Sequence, residues 1–396
     1  MTTRMRLSWF TRVTVVALGA LLSVAALGRD GAAEDVKIGA SGPRTGPNSG
    51  AWVAYQATRA CILDANDKGG VNGYKFNHIL LDDQYDPQVT LGATRRLVDQ
   101  ENVLALVGHS GTAGTLAIKD YILSKGVPDV GLHSGSAAVN SAVTYPISPS
   151  SASQGAFQAK YLIDKGFTGG GLGVLYENDD VGKAVLSAVE SIAKQNNVKL
   201  TLVPFQLGSR DKTAQVATLK EAGVTAVIIS GIPSEFPTSI LAAVNVDYHP
   251  TWFAVAYAAE PRVMSQLPAD QIKNMYFSWY TAFPGDPGTQ DLLSAMKKHY
   301  PDVTPPTPTW SEGWASCTVF LEAFKRATQG GKPPTRQAII SALNTFKDYS
   351  NSYISGITYT ADSHLLTLRQ LVGQWDPTSN TLKRVTPFTA PPTLGP

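Results

Sequence analysis

Charge is scarce in this chain. Asp, Glu, Lys and Arg make up 16% of 396 residues, the formal net charge is +2, and no segment gathers basic side chains into a patch. That composition argues against nucleic acid or an anionic membrane surface as a partner. Cysteine is scarcer still: Cys61 and Cys317 are the only two. Neither belongs to a C-x-x-C motif or sits beside a histidine cluster, so a cysteine-based metal site is not expected. A single disulfide and a pair of small buried apolar residues remain open as readings. The six histidines, His78, His109, His133, His249, His299 and His364, contain no i, i+4 pair and have no carboxylate at ligand spacing. No metal and no cofactor is therefore expected. Apolar runs of bilayer length, roughly 20 residues, are also missing.

The longest apolar run, Val13 to Leu27, follows Arg4, Arg6 and Arg12 and leads to Gly31-Ala32-Ala33. A basic start, a short apolar stretch and a small-residue end read as a secretory leader over 1–33, cleaved just before Glu34. No cysteine near that point offers a site for a lipid, so a protein free in a periplasm is expected, not a lipoprotein. Arg4, Arg6, Arg12 and Arg29 against Asp30 give the leader +3, which leaves the remainder at −1. About 360 residues exceed one ordinary core, and two domains are the default.

After Glu34 short β-branched runs alternate with helical periodicity, the signature of α/β architecture with parallel sheets. Strands are expected at 36–39, 76–81, 103–107 and 127–132, with helices at 52–68, from Asp86 to about 100, and at 114–124. Asp86-Pro87 is an N-cap followed by proline at the first helical position. The rhythm restarts with helices at 153–165, 181–195, 212–222 and 234–246 and strands at 173–176, 200–205, 226–230, 252–255 and 275–278. Helices at 311–328 and 335–345 and a β-rich tail at 357–374, ending in the polar 376–380 turn, complete the chain. The fold expected is two doubly wound Rossmann-like lobes joined by a three-stranded hinge. The first lobe takes 34–150 and 281–350, the second 151–280 and 351–396.

Open α/β sheets bind ligands outside the carboxyl ends of their strands. The loops that matter are then 41–50, 108–115, 133–138, 231–235 and 257–260. Gly108-His109-Ser110-Gly111-Thr112-Ala113-Gly114-Thr115 passes from a strand into a helix and is rich in glycine and hydroxyls. N–H groups at a helix start, helped by the helix dipole, hold a carboxylate without a buried cation. His133-Ser134-Gly135-Ser136 repeats that chemistry. The same residue types also cap helices and make turns with no ligand at all.

Enzymatic readings compete poorly. Gly108-His109-Ser110-Gly111-Thr112 approaches the G-x-S-x-G nucleophile elbow of a serine hydrolase, with Ser110 as nucleophile and His249 or His364 as base, but the fifth position is Thr. Gly169 to Gly173 precedes its strand, whereas a pyrophosphate-binding glycine loop follows one. The neighbours in Asp82-Asp83 and Asp179-Asp180 point to different faces, which suits capping better than paired acid catalysis.

A series of ordered segments carries a family resemblance: Val36-Lys37-Ile38-Gly39 with Thr45-Gly46-Pro47, then Asn66-Asp67-Lys68-Gly69-Gly70-Val71-Asn72-Gly73. It continues through Asp82-Asp83, Asp86-Pro87, Arg96-Leu97-Val98, the loop 108–115, Gln154-Gly155 and Tyr176 to Lys183. In order and spacing these resemble the branched-chain amino-acid (Leu/Ile/Val) binding proteins, type I periplasmic solute-binding components of ABC transporters. The resemblance implies a two-lobed monomer without enzymatic activity that binds a small carboxylate-bearing ligand between its lobes and delivers it to ABC permease subunits. A sensory module feeding a receptor or kinase is the alternative. The resemblance implies carboxylate contacts from Thr112, Ser134 and Ser136; the residues themselves add Ser110, Gly111 and Gly135 of the same loops as ligand contacts, and Trp52, Tyr257, Trp279 and Tyr280 as aromatic walls. The family's amino-acid binders place an acidic side chain against the ligand ammonium, where Tyr257 stands here. Either Glu235 or Glu260 takes that role from nearby, or the ligand has no ammonium and is an aromatic or hydrophobic acid.

Overall fold

Strands rich in β-branched residues and joined by helices pair and bury both faces most simply as parallel sheets covered on each side. The computed structural model shows two such sheets. It describes Met1 and residues 34–46, 48–206, 208–231, 235–265, 267–360, 363–366 and 368–395, without the side chains of Tyr257 and Arg262. The expected leader, Met1 apart, lies outside the described residues.

The first lobe's strands are β1 (Glu34–Gly42), β2 (Tyr74–Asp82), β3 (Leu106–Val107), β4 (Asp129–Leu132) and β5 (Thr144–Pro146). They form one parallel sheet in the order β2-β1-β3-β4-β5. Its helices are α1 (Trp52–Asp67), α2 (Pro87–Arg95) and α3 (Thr112–Ser124). Asp86 caps α2 by accepting from Gln88 N and Val89 N, with Pro87 behind it as expected. The strand expected at 103–107 pairs fully only at its end. Its first residues still follow β1, Leu104 N donating to Lys37 O and Gly39 N to Ala105 O.

The second lobe alternates α4 (Ser151–Asp164), β6 (Leu172–Glu177), α5 (Asp180–Gln195), β7 (Leu200–Phe205), α6 (Thr213–Glu221), β8 (Ala226–Ser230), α7 (Glu235–Asn245) and β9 (Thr251–Val255). Two short helices, α8 (Pro261–Met264) and α9 (Ala269–Ile272), precede β10 (Met275–Trp279). These strands are mutually parallel in the order β10-β9-β8-β6-β7.

Three helices follow, α10 (Gln290–His299), α11 (Pro308–Ala327) and α12 (Arg336–Leu343), then a small pair β11 (Tyr349–Ser350) and β12 (Ser355–Ile357). Finally β13 (Leu371–Asp376) adds antiparallel to β10, and β14 (Thr381–Arg384) pairs with β13. The tail thus pairs later than its composition suggests, and the polar 376–380 stretch is the turn of a hairpin. The preceding residues are spent on anchoring. Tyr359 donates its hydroxyl to Pro146 O at 2.8 Å, and the His364 ring stacks on Tyr145 with centroids 4.2 Å apart. The sequence reading also passed over α10, whose charged face and flanking Pro-rich loops masked its apolar positions Leu292, Ala295 and Met296.

The long helix α11 returns to the first lobe and lies against α1 and β4. The approach is close: a Cβ on Gly313 would stand 1.9 Å from Ala54 O, so only glycine fits. Cys61 on α1 and Cys317 on α11 form a disulfide, which decides between the two readings of that pair. Closing a loop across 256 residues of sequence stabilises the fold by restricting the unfolded chain, typically by about 2–4 kcal/mol.

Candidate ligand-binding site

The carboxyl ends of both parallel sheets face one cleft of about 780 Å³. Ligand sites in proteins span roughly 300–1,000 Å³, so this one admits a sizeable organic molecule.

The first-lobe wall is polar. Leaving β3, the chain reaches Ser110 and Gly111 and enters α3 at Thr112, and all three residues line the cleft. Gly111 has φ +106°, and a Cβ there would stand 3.0 Å from the Tyr85 ring, so the turn needs glycine. Glycine also supplies no capping side chain, so no side chain caps α3. Ser150, Asp179 and Thr335 cap α4, α5 and α12. The start of α3 therefore presents backbone N–H groups and the positive end of its dipole to the cleft. Leaving β4, the chain places His133, Ser134 and Gly135 on the same wall. Thr112 Oγ1 and Ser134 Oγ are hydrogen-bonded at 2.9 Å, which joins the two loops.

The remaining expected residues fall differently. Ser136 turns away, its hydroxyl accepting from Ala138 N at 3.3 Å at the start of a short helical turn, and it is not among the lining residues. Trp52 stacks on Tyr55 at 5.4 Å and does not line the cleft either. Tyr280 does line it, with the buried Trp279 packed behind at 4.6 Å. The backbone of Tyr257 lies in the helical turn Ala256–Ala258, and its side chain lies outside the described residues. Of the two acids weighed as ammonium partners, Glu260 lines the cleft and accepts from Thr309 Oγ1 at 3.4 Å. Glu235 is buried instead in an ion pair with Lys212 and accepts from Gly208 N.

The second-lobe wall is apolar. Val181 and Val185 of α5, Ile229 at the end of β8, Val255 at the end of β9, Pro261 and Val263 face the first lobe. Gln154 and Gln158 of α4 and Ser230 add neutral hydrogen-bonding groups. Among the described residues lining the cleft none is Lys or Arg, while Glu260, Asp302 and Glu312 are acidic.

Glu312, on α11, was missed in the sequence reading. It is buried, and Tyr280 donates its hydroxyl to Glu312 Oε1 while Ser148 donates to the Tyr280 hydroxyl at 3.0 Å. Burial pushes the Glu312 carboxyl up to about 7, against the opposing pull of the Tyr280 hydrogen bond. Its other oxygen lies 3.7 Å from His133 Nδ1. Burial, with His109 nearby, pushes His133 down to about 3, so this imidazole is neutral at ordinary pH. Behind it His109 Nδ1 meets Asp129 Oδ2 at 3.1 Å, fully buried. Desolvation opposes the charged imidazole there, and Asp129 outweighs it and raises the His109 pKa. The one sequence signal for Glu312 was a lone charge between two tryptophans in Trp310-Ser311-Glu312-Gly313-Trp314, in a segment of helical period.

Of the groups of the enzymatic readings, Ser110 lines the cleft, whereas neither histidine weighed as its base does. His249 pairs with Asp247 and Gln271, and His364 Nδ1 meets Thr144 O. Asp82 holds the Arg44–Thr45 turn, and Asp179 caps α5 through Gly182 N. No group of three or more potential metal ligands occurs among the described residues, and no described helix is long and apolar enough to cross a membrane.

Two Rossmann-like lobes with a ligand-sized cleft at their strand ends define a protein built to enclose a small molecule. The family model described as periplasmic binding protein matches residues 35–380, and the chain belongs to that family. The leucine-, isoleucine-, valine-, threonine-, and alanine-binding protein of Pseudomonas aeruginosa is 22% identical over 80% of this chain and 84% of its own length. An amino acid binding protein of the same organism is 27% identical, over 51% of this chain and 55% of its own length. Among solved structures, a branched chain amino acid ABC transporter protein from Thermus thermophilus with bound valine superposes with TM-score 0.75 at 20% identity, covering 90% of this chain and 97% of that one. A fatty acid ABC transporter substrate-binding protein from Thermomonospora curvata gives TM-score 0.77 at 19% identity, over 89% and 91%. The type I periplasmic binding protein fold expected from the sequence is thus the fold observed.

Proposed function

We propose that the chain is the periplasmic solute-binding component of an ABC importer and captures a hydrophobic carboxylic acid larger than leucine. The supporting observation is the pairing, within one 780 Å³ cleft, of a wall of hydroxyls and helix-start N–H groups with an opposed wall of Val181, Val185, Ile229, Val255 and Val263. The first wall suits a carboxylate, the second a hydrocarbon or aromatic body. Ser110, Gly111, Thr112, Ser134 and Gly135 hold the carboxylate, with Tyr280 beside it. Export by cleavage before Glu34, action as a monomer, delivery to permease subunits and the absence of enzymatic activity belong to the same reading. So does the assignment of 34–150 and 281–350 to one lobe and 151–280 and 351–396 to the other. The names of the relatives include amino-acid and fatty-acid binding, and both ligand classes carry a carboxylate, which supports this reading.

Glu260 favours a second reading, in which the ligand is a hydrophobic amino acid whose ammonium meets that carboxylate. Calorimetric titration of the protein lacking residues 1–33 with leucine, valine, phenylacetate, benzoate and octanoate separates them. Octanoate or phenylacetate is expected to bind at least about tenfold, or 1.4 kcal/mol, more tightly than leucine. A preference for leucine of that size selects the amino-acid reading.

A further inference from the structure

Glu312 lines the same cleft as the hydroxyl wall and lies against His133, next in sequence to Ser134, and its surroundings specify a proton. Ser316 Oγ has a single hydrogen, and its acceptors are Gly131 O at 2.9 Å and Glu312 O at 3.2 Å. That hydroxyl is spent as a donor, so its 2.7 Å contact with His133 Nε2 is made by the imidazole's N–H. The other ring nitrogen, Nδ1, then carries the lone pair of a neutral imidazole, and it faces Glu312 Oε2 at 3.7 Å. An ionised Glu312 would oppose that lone pair. A neutral Glu312 has a hydrogen to offer, either to the imidazole or into the cleft.

The ligand side of the argument is independent. Ser134, which anchors the carboxylate in the reading above, follows His133 directly, and no described Lys or Arg lines the cleft. An anion brought to Ser134 enters a cleft that Glu312, Glu260 and Asp302 also line, and Glu312 lies against His133, the residue before Ser134. Two carboxylates at one site cannot both be ionised cheaply, and sharing one proton turns repulsion into a strong charge-assisted hydrogen bond.

We propose that Glu312 is a specificity-determining residue that receives the ligand's carboxylate in its own protonated form, so that a carboxylate captured while the free side chain is ionised brings one proton with it from solvent. This rests on the carboxylate-binding reading. Among the described residues, the charged and titratable groups that face Glu312 are the Tyr280 hydroxyl after β10 and His133 after β4 with the His109–Asp129 pair behind it, and Glu260 and Asp302 line the same cleft. The sign follows from them. The free carboxyl titrates at about 7, and a bound anion raises that value further. Affinity is therefore level below neutrality and falls with rising pH until the liganded value is passed.

The experiment is calorimetry with octanoate, phenylacetate and leucine from pH 6 to 9, in phosphate and in Tris, whose ionisation heats differ. For the probe that binds, Kd is expected to rise towards about tenfold per pH unit above 7, and proton uptake to approach about one per ligand at pH 8. Glu312→Gln is expected to flatten the profile. Tyr280→Phe, which removes the bond that favours the ionised carboxyl, should move the break to higher pH. The wild-type proton count needs no variant to fold. A level wild-type profile without proton uptake, proton release on binding, or a slope that survives in Glu312→Gln overturns the assignment. Failure of all three probes to bind at pH 6 instead removes the carboxylate reading beneath it.

Discussion

Thr112 Oγ1 and Ser134 Oγ, carried on loops that leave the neighbouring strands β3 and β4, lie 2.9 Å apart and share one hydrogen bond. The bond fixes the separation of two hydroxyls on the polar wall of the cleft before any ligand arrives. Ser134 Oγ also accepts from Ser136 N at 3.4 Å, and since one hydroxyl spends its hydrogen on the other, the pair keeps one O–H, already oriented, to donate to a carboxylate. An anchor assembled in advance loses little entropy when it is filled.

Thr112→Val and Ser134→Ala are each expected to weaken carboxylate binding by about tenfold, the scale of a hydrogen bond to a charged group. Because either change also releases the other hydroxyl, the double variant should lose less than the product of the single losses. Titration of all four proteins with one ligand gives the coupling. Strict additivity would show that the two hydroxyls do not act on a common group.

Glu260 tests the identity of the ligand's second pole. It lines the cleft from the start of α8, so Glu260→Gln removes a negative charge with little change of shape. Binding of octanoate or phenylacetate is expected to be unchanged or tightened. A loss of leucine affinity of about 100-fold, near 3 kcal/mol, would assign the residue to an ammonium and return the ligand to the amino acids.

Local signals made much of this molecule legible. Asp86 before Pro87 announced α2, and strand ends rich in glycine and hydroxyls announced Ser110 to Thr112 and Ser134 to Gly135, because capping and turn chemistry is written within a few residues. The errors are non-local. Glu312 reaches the cleft only because α11 returns to pack on β4, a contact between residues well over a hundred apart in sequence. Trp52 has the composition of a pocket aromatic, yet Tyr55 one turn later claims its face. Glu235 and Glu260 looked equivalent along the chain. What separates them is place: Glu235 is buried against Lys212, brought from a different element, and Glu260 lines the cleft.

That pair supports the apolar wall from behind, and it gives a stability prediction. Lys212 is fully buried, its ammonium held by Glu235, by Ser209 O at 2.7 Å and by Thr238 Oγ1 at 3.3 Å, and standing 4.7 Å above the Phe205 ring. Glu235 begins α7, close to Pro237 of the cleft lining. Removing one member of a buried pair leaves the other charge without compensation, so Lys212→Met is expected to cost about 3–5 kcal/mol. Replacing both by apolar residues of similar size removes that orphan. Lys212→Met with Glu235→Leu should recover most of the loss, although Gly208 N then loses its acceptor. Urea unfolding of the three proteins at pH 7 measures this directly. Equal stability of the single and double variants would show that Glu235 does not need Lys212 to remain buried.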